Sequence, residues 1–394
     1  MLSDRIGNLT PAATHAMTAR VAALRAAGEE VFAFHVGEPD FPTPRPIVEA
    51  CKRALDEGLT KYTPTPGIEP LRRAICGKLA RENGLRYAPE QICVSAGAKQ
   101  ALSNALFALC SPGDEVLIPT PCYVSYGEIV KLAGGVPVFV PTGPDFLPDV
   151  EAMRAAVTPR TRLMLLNSPN NPSGAVYPRE TLSALGALAV ERDLYVISDE
   201  VYEKLVYDGA EHVSIAALSD ELQTRTVVVN GFSKTFAMTG WRLGYSAASA
   251  EIRAACDAFQ GHMTSCANSF VQAAALAALS DCAAETEAMR RAFCERRDLM
   301  YAALTAMPGI RCALPQGAFY LLPDVTAFFG KRFGGRVIAS GADLCDYLLD
   351  EARLAAVPGE AFRAPGTIRL AYTCSLEDIR RGMARMAEAL AKLK

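Results

Sequence analysis

One stretch of the chain concentrates reactive groups. Asn230-Gly231-Phe232-Ser233-Lys234-Thr235-Phe236-Ala237-Met238-Thr239-Gly240-Trp241-Arg242-Leu243-Gly244-Tyr245 sets Lys234 in apolar surroundings and holds the only tryptophan. A lysine removed from water has its charged form disfavoured, so its amine can attack a carbonyl carbon. Ser233 and Arg242 together suit a dianion, the arginine through a charge-assisted bidentate contact. A carboxylate and a phenol stand three residues apart in Asp199-Glu200-Val201-Tyr202. Small residues in Ser95-Ala96-Gly97-Ala98-Lys99-Gln100 would let a phosphate reach backbone N–H groups at a helix start. Taken singly, each has a plainer reading: a surface lysine between strands, a helix-capping Asp199, a half-buried core Tyr202, a turn kept small for packing.

The elements around these residues give them a common location. Ile92–Ser95, Glu115–Ile118, Val136–Val140, Arg162–Asn167, Leu194–Ser198 and Thr226–Asn230 read as short strands. The last three are near-continuous apolar runs, as in strands covered on both faces. Helical stretches such as Lys99–Cys110 and Arg179–Arg192 lie between them, so the pattern is α/β with a mainly parallel sheet. Such a sheet binds ligands beyond the carboxyl ends of its strands. Ser95-Ala96-Gly97, Asn167-Ser168-Pro169-Asn170-Asn171, Asp199-Glu200 and Gly231-Phe232-Ser233-Lys234 all fall there. After about residue 282 the texture changes to a long amphipathic helix ending near Met307, then strand-like Phe319–Leu322 and Thr367–Tyr372 with helices at Gly341–Ala352 and Leu376–Lys394, a smaller α+β unit.

Composition narrows the function classes. The chain has 394 residues, 50% hydrophobic and 21% charged, with a formal net charge of −3. That balance argues against nucleic acid or an anionic membrane as a partner. The longest apolar run, Ala273–Leu279, falls far short of the ~18 residues a membrane span needs. The first residues show no secretory signal. The 12 cysteines are scattered, with none closer than Cys256 and Cys266, and the 4 histidines are equally dispersed. No metal is expected, no P-loop is present, and scattered thiols fit a reducing cytoplasm.

The run Ser-Lys-x-Phe-x-Met-Thr-Gly-Trp-Arg-x-Gly-Tyr from Ser233 to Tyr245 resembles the cofactor-lysine segment of class I/II aminotransferases, the fold type I pyridoxal-phosphate enzymes. Val36-Gly37-Glu38-Pro39-Asp40-Phe41, Lys61-Tyr62-Thr63-Pro64-Thr65-Pro66-Gly67, Asn167–Gly174, Ser198–Tyr202 and Ile368-Arg369-Leu370-Ala371-Tyr372 resemble further blocks of that family, in its order. The resemblance extends over the whole chain and is strongest to the bacterial and thermophile-type aspartate aminotransferase subgroup.

This resemblance implies a large domain with a mainly parallel seven-stranded sheet over residues 45–285. It also implies a smaller α+β domain from 13–44 and 286–394, and an N-terminal arm over 1–12. Lys234 would hold pyridoxal 5'-phosphate as a Schiff base and shuttle the substrate's α-proton. Asp199 would keep the ring nitrogen protonated, Tyr202 and Asn171 would bond the phenolic oxygen, and Tyr123 would stack on the ring, where many aspartate-specific relatives have tryptophan. Ala98, Lys99, Ser233 and Arg242 would hold the phosphate with Tyr62 of a second subunit, so a homodimer with shared sites is expected. Arg369 would grip the substrate α-carboxylate beside Gly37. Lys99 could also reach a distal carboxylate, favouring aspartate as donor and 2-oxoglutarate as acceptor. Transamination of aromatic or neutral amino acids, β-elimination or decarboxylation, and a non-catalytic cofactor-binding regulator remain as rivals, because one fold hosts many reactions.

Overall fold

The computed structural model describes residues 4–10 and 13–394. Residues 1–3 and 11–12 of the expected arm lie outside these. Within the described part, the Asn8 carbonyl accepts from Lys131 Nζ at 2.9 Å and the Thr10 N–H donates to Glu128 at 3.0 Å, against a helix of the same chain.

A seven-stranded sheet forms the centre, with strands β1 (Ile92–Ser95), β2 (Glu115–Thr120), β3 (Val136–Pro141), β4 (Thr161–Asn167), β5 (Tyr195–Asp199), β6 (Thr226–Gly231) and β7 (Gly244–Ala247). Their spatial order is β1-β7-β6-β5-β4-β2-β3. All neighbours are parallel except β7, which runs antiparallel to both β1 and β6. β6 is buried throughout, and β4 and β5 over all but their first residues, which explains the apolar runs.

β7 is the strand the hydrophobic pattern does not announce. Gly-Tyr-Ser-Ala is short and small, because β7 passes directly behind the start of the helix that follows β1. A Cβ on Gly244 would lie 2.3 Å from the Ala98 nitrogen. That helix, α1 (Ala98–Leu109), begins one residue earlier than the pattern suggests. Gly97 precedes it at φ +93°, a conformation that favours glycine. A shorter helix, α2 (Ser125–Leu132), follows β2.

After the sheet, α3 (Ala283–Thr305) replaces the expected 285–307 span by two residues at each end. It buries Met289, Phe293, Arg297, Met300 and Leu304, one stripe at helical spacing. Its apolar members share a cluster with Met17, Val21 and Phe34 from the beginning of the chain and Leu348, Tyr372 and Met386 from its end. Three short antiparallel strands lie over this cluster: β8 (Tyr320–Leu321), β9 (Val357–Pro358) and β10 (Ile368–Ala371), in the order β9-β10-β8. The last helix stops at Ala391, short of the expected 394.

Candidate active site

β5 and β6 end side by side, and the residues that leave their carboxyl ends meet the Gly37 loop and β10 in one cleft. β6 turns at Gly231 into a single helical turn, Phe232–Thr235, which presents Lys234. Lys234 Nζ donates to the Gly37 carbonyl at 2.6 Å and lies 5.7 Å from the centre of the Phe319 ring. Burial lowers its pKa from 10.5 to about 8; Arg369 and Arg242 push the same way, while Glu38 and Asp199 oppose. The amine is therefore partly neutral near neutral pH, as a nucleophile must be.

Asp199, the last residue of β5, is 8% exposed. Its Oδ2 accepts from the Tyr126 hydroxyl at 2.7 Å and its Oδ1 from the Val201 N–H at 3.3 Å. Burial raises its pKa from 3.8 to about 6 against the pull of the Tyr126 bond. Tyr202, on the turn after β5, is buried, and its hydroxyl meets that of Tyr320 at 2.9 Å.

Arg369 on β10 is 2% exposed. Its Nη1 donates to Asn171 Oδ1 at 3.1 Å and its Nη2 to the His35 carbonyl at 2.8 Å, while Nε has no partner among the described residues. Its guanidinium lies 4.4 Å from the ring centre of Tyr320 and 4.8 Å from that of Phe362. A Cβ on Gly37 would stand 2.8 Å from the Tyr320 hydroxyl, so only glycine lets this loop pass.

The phosphate-type turn is also assembled. Among the described residues the Ala98 and Lys99 N–H groups make no hydrogen bond, as expected for a first helical turn. Arg242 reaches over it: its Nη1 donates to the Thr239 carbonyl at 2.9 Å, and a Cβ on Gly97 would lie 2.5 Å from its Nη2. Ser233 is buried beside Lys234. Tyr123 sets its ring edge-on to Tyr126 at 5.5 Å, and the exposed Lys99 places Nζ 5.5 Å from the Tyr123 ring centre.

Lys234, Asp199, Tyr202, Asn171, Arg369, Gly37, Ser233, Arg242, Ala98, Lys99 and Tyr123 thus surround the strand ends as the sequence suggests. Tyr62 does not join them: it is 90% exposed, and no hydrogen bond or ring contact among the described residues ties it to this chain's cleft. Four contributors escaped the sequence reading: Tyr126, Tyr320, His35 and Phe362. Tyr126 stands in a quoted segment three residues after Tyr123, a helical spacing that could have flagged it. Nothing local marks the other three.

A second polar group lies behind the cleft, where Glu200, Glu203 and His212 bring ligand-type atoms within 4.8 Å of one another. Their oxygens are engaged within the chain. Glu203 receives Lys78, with Asn83 at 2.7 Å and Asn230 at 2.8 Å, and Glu200 receives Ser198 at 2.8 Å and Ser214 at 2.6 Å.

The fold is that of the fold type I enzymes, and the cleft at its strand ends holds a partly buried lysine. Over residues 29–386 the chain matches the family described as aminotransferase class I and II, and it belongs to that family. It is 45% identical over 390 residues to an aspartate aminotransferase of Geobacillus stearothermophilus, covering 98% of each chain. Its structure is similar to that of an aspartate aminotransferase of Rhizobium meliloti, with a TM-score of 0.96, 39% identity and complete coverage of both chains. It is also similar to an aspartate aminotransferase of Thermus thermophilus solved with maleate, with a TM-score of 0.93, 43% identity and 99% coverage of each. The protein is therefore a pyridoxal-phosphate-dependent transaminase.

The residues present fit that cofactor. The cleft supplies an amine held near pKa 8 for its aldehyde, a buried carboxylate for a ring nitrogen, and unpaired N–H groups under Arg242 for a phosphate.

Proposed function

We propose that the protein transfers the amino group of L-aspartate to 2-oxoglutarate. The observation that carries this reading is the convergence of the Lys234 amine, the Asp199 carboxylate and the Arg369 guanidinium in one cleft. When bound, pyridoxal phosphate supplies an electron sink for the charge left on the amino acid's α-carbon.

The chain's residues do the remainder. Lys234 holds the cofactor and, once displaced by substrate, carries the α-proton on Nζ; its lowered pKa suits that exchange near neutral pH. Asp199 would pair with the ring nitrogen and keep it protonated, and Tyr202 and Asn171 would bond the phenolic oxygen. Ser233, Arg242 and the Ala98 and Lys99 N–H groups hold the phosphate. Arg369 takes the α-carboxylate; its unpartnered Nε and planar fork suit a bidentate acceptor. Tyr123 would cover the ring, and Lys99 would meet the distal carboxylate of an acidic substrate. The relatives' activity and the maleate-bound neighbour, maleate being a dicarboxylate, agree with that choice.

We further propose a cytoplasmic homodimer. Tyr62 at 90% and Met263 at 64% exposure would be covered by a second copy, whose Tyr62 would complete the phosphate site. An apolar cluster built mainly from the two chain ends, with Val201, Tyr202, Leu205 and Tyr207 packed into it, supports a division into residues 45–285 and a smaller unit of 13–44 with 286–394. A panel of amino donors and 2-oxo acids, followed by product and by visible absorbance, tests the function. Turnover of aspartate with 2-oxoglutarate ahead of aromatic and neutral donors is the expected result. Release of ammonia or carbon dioxide instead would assign the cleft to elimination or decarboxylation.

A further inference from the structure

Tyr320 has none of the roles given above, yet three parts of the cleft meet on it. The β8–β10 register sets Tyr320 opposite Ala371 and Leu321 opposite Leu370. Arg369 lies two residues from Ala371, so it shares a sheet face with Tyr320 as its diagonal neighbour, within reach of a long side chain. The outcome is a guanidinium that lies over two rings, its carbon 4.4 Å from the centre of Tyr320 and 4.8 Å from that of Phe362. Stacking fixes the plane of the fork while leaving its edge donors for hydrogen bonds.

The hydroxyl of the same side chain lies 2.9 Å from that of Tyr202, the two rings meeting edge to face at 81°. Both residues are fully enclosed, at 1% and 4% exposure. A phenol has one proton to give. With the Tyr320 proton directed to the Tyr202 oxygen, the Tyr202 proton is left for an acceptor in the cleft, and a donated bond of this kind strengthens the next one. The third contact is the Gly37 loop, whose close passage beside the Tyr320 hydroxyl fixes the carbonyl that receives Lys234.

We propose that Tyr320 is a positioning residue of the transamination site: its hydroxyl aligns that of Tyr202, and its ring holds Arg369 flat for a planar carboxylate. This rests on the function proposed above, and the two can be tested apart.

The measurement is the pH midpoint of the visible absorbance of the cofactor-loaded enzyme, with dicarboxylate affinity (maleate as probe) read alongside. Tyr320→Phe removes the hydroxyl and keeps the ring. Its midpoint should rise by about half a pH unit or more, the scale of one hydrogen bond, with maleate affinity within about twofold of wild type. In a Tyr202→Phe background the same substitution should move the midpoint far less, because its effect runs through Tyr202. Tyr320→Leu should in addition weaken maleate by about tenfold through the loss of the stacked ring. An unmoved midpoint in Tyr320→Phe, or an equal shift with and without Tyr202, overturns the proposal. If Tyr320→Leu fails to fold, the Tyr320→Phe comparison decides alone. A wild-type enzyme without a visible band overturns the function beneath the proposal, and that control separates the two failures.

Discussion

Tyr126 and Asp199 are joined across the sheet: the phenol on α2 donates at 2.7 Å to the carboxylate that ends β5, both groups buried. Burial drives Asp199 toward its neutral form, and Glu200 adds to this, while Tyr126, the Val201 N–H and Lys234 pull it back toward the ion. Tyr126→Phe removes the largest of those restraints without opening a large hole. The Asp199 carboxyl should then titrate above about 6, and the acid limb of kcat/KM should move to higher pH by the same amount. A pH–rate profile checks this; an unmoved limb would mean that the phenol only fills space.

In the proposed reaction, Asp199→Ala takes away the carboxylate that would pair with the ring nitrogen. At ~1.4 kcal/mol per decade, a loss of several kcal/mol of transition-state stabilisation predicts a fall in kcat of about 10³-fold or more. Single-turnover kinetics with aspartate measure it. Near-normal turnover would show that some other group polarises the ring.

Cofactor capture should follow the ionisation of Lys234. A pKa lowered from 10.5 to about 8 means that the neutral amine grows as pH rises through 8, so the apoenzyme should take up pyridoxal phosphate faster from pH 7 to 9. Stopped-flow absorbance gives the rate. Borohydride reduction and peptide mapping should place the pyridoxyl group on Lys234, and Lys234→Ala should abolish turnover.

Lys99 separates the substrate classes. Lys99→Ala should lower kcat/KM for aspartate more than for alanine or phenylalanine, because only the first offers a second carboxylate. Equal losses for all three would assign Lys99 to the phosphate alone.

Behind the cleft, Lys78 and Glu203 form an ion pair with side chains only 7% and 5% exposed. Burial alone would raise the Glu203 pKa, but Lys78 and His212 outweigh it and hold the carboxyl at about 2 rather than 4.5. A depressed carboxylate stabilises the fold fully above about 4.5, and the gain is lost as pH falls through about 2. Lys78→Met strands the Glu203 charge and should cost ~3–5 kcal/mol in urea unfolding at pH 7, with a smaller difference from wild type near pH 3.

The sequence was informative wherever chemistry and local pattern coincide. Lys234 in an apolar run, Asp199 at a strand end and Arg369 in a short apolar strand each carry their signal within a few residues. β7 did not, because Gly244 is small for the sake of Ala98, a neighbour far along the chain. Tyr320 and Phe362 were invisible for a related reason. Their roles depend on the pairing of β8 with β10 and on a ring stacked against Arg369, neither of which leaves a mark in local spacing. His35 contributes a backbone carbonyl, which no side-chain pattern encodes.

The distances along the chain between cleft residues also set an order of events during synthesis. Lys234 bonds a carbonyl 197 positions before it, whereas Arg369 bonds one 334 positions before it. On the ribosome, β6 and the lysine turn emerge well ahead of β10, and folding proceeds from the N-terminal side as chain becomes available. The nascent polypeptide therefore makes the lysine turn early and the arginine that would clamp an amino acid last, so the latter group waits on nearly the whole chain.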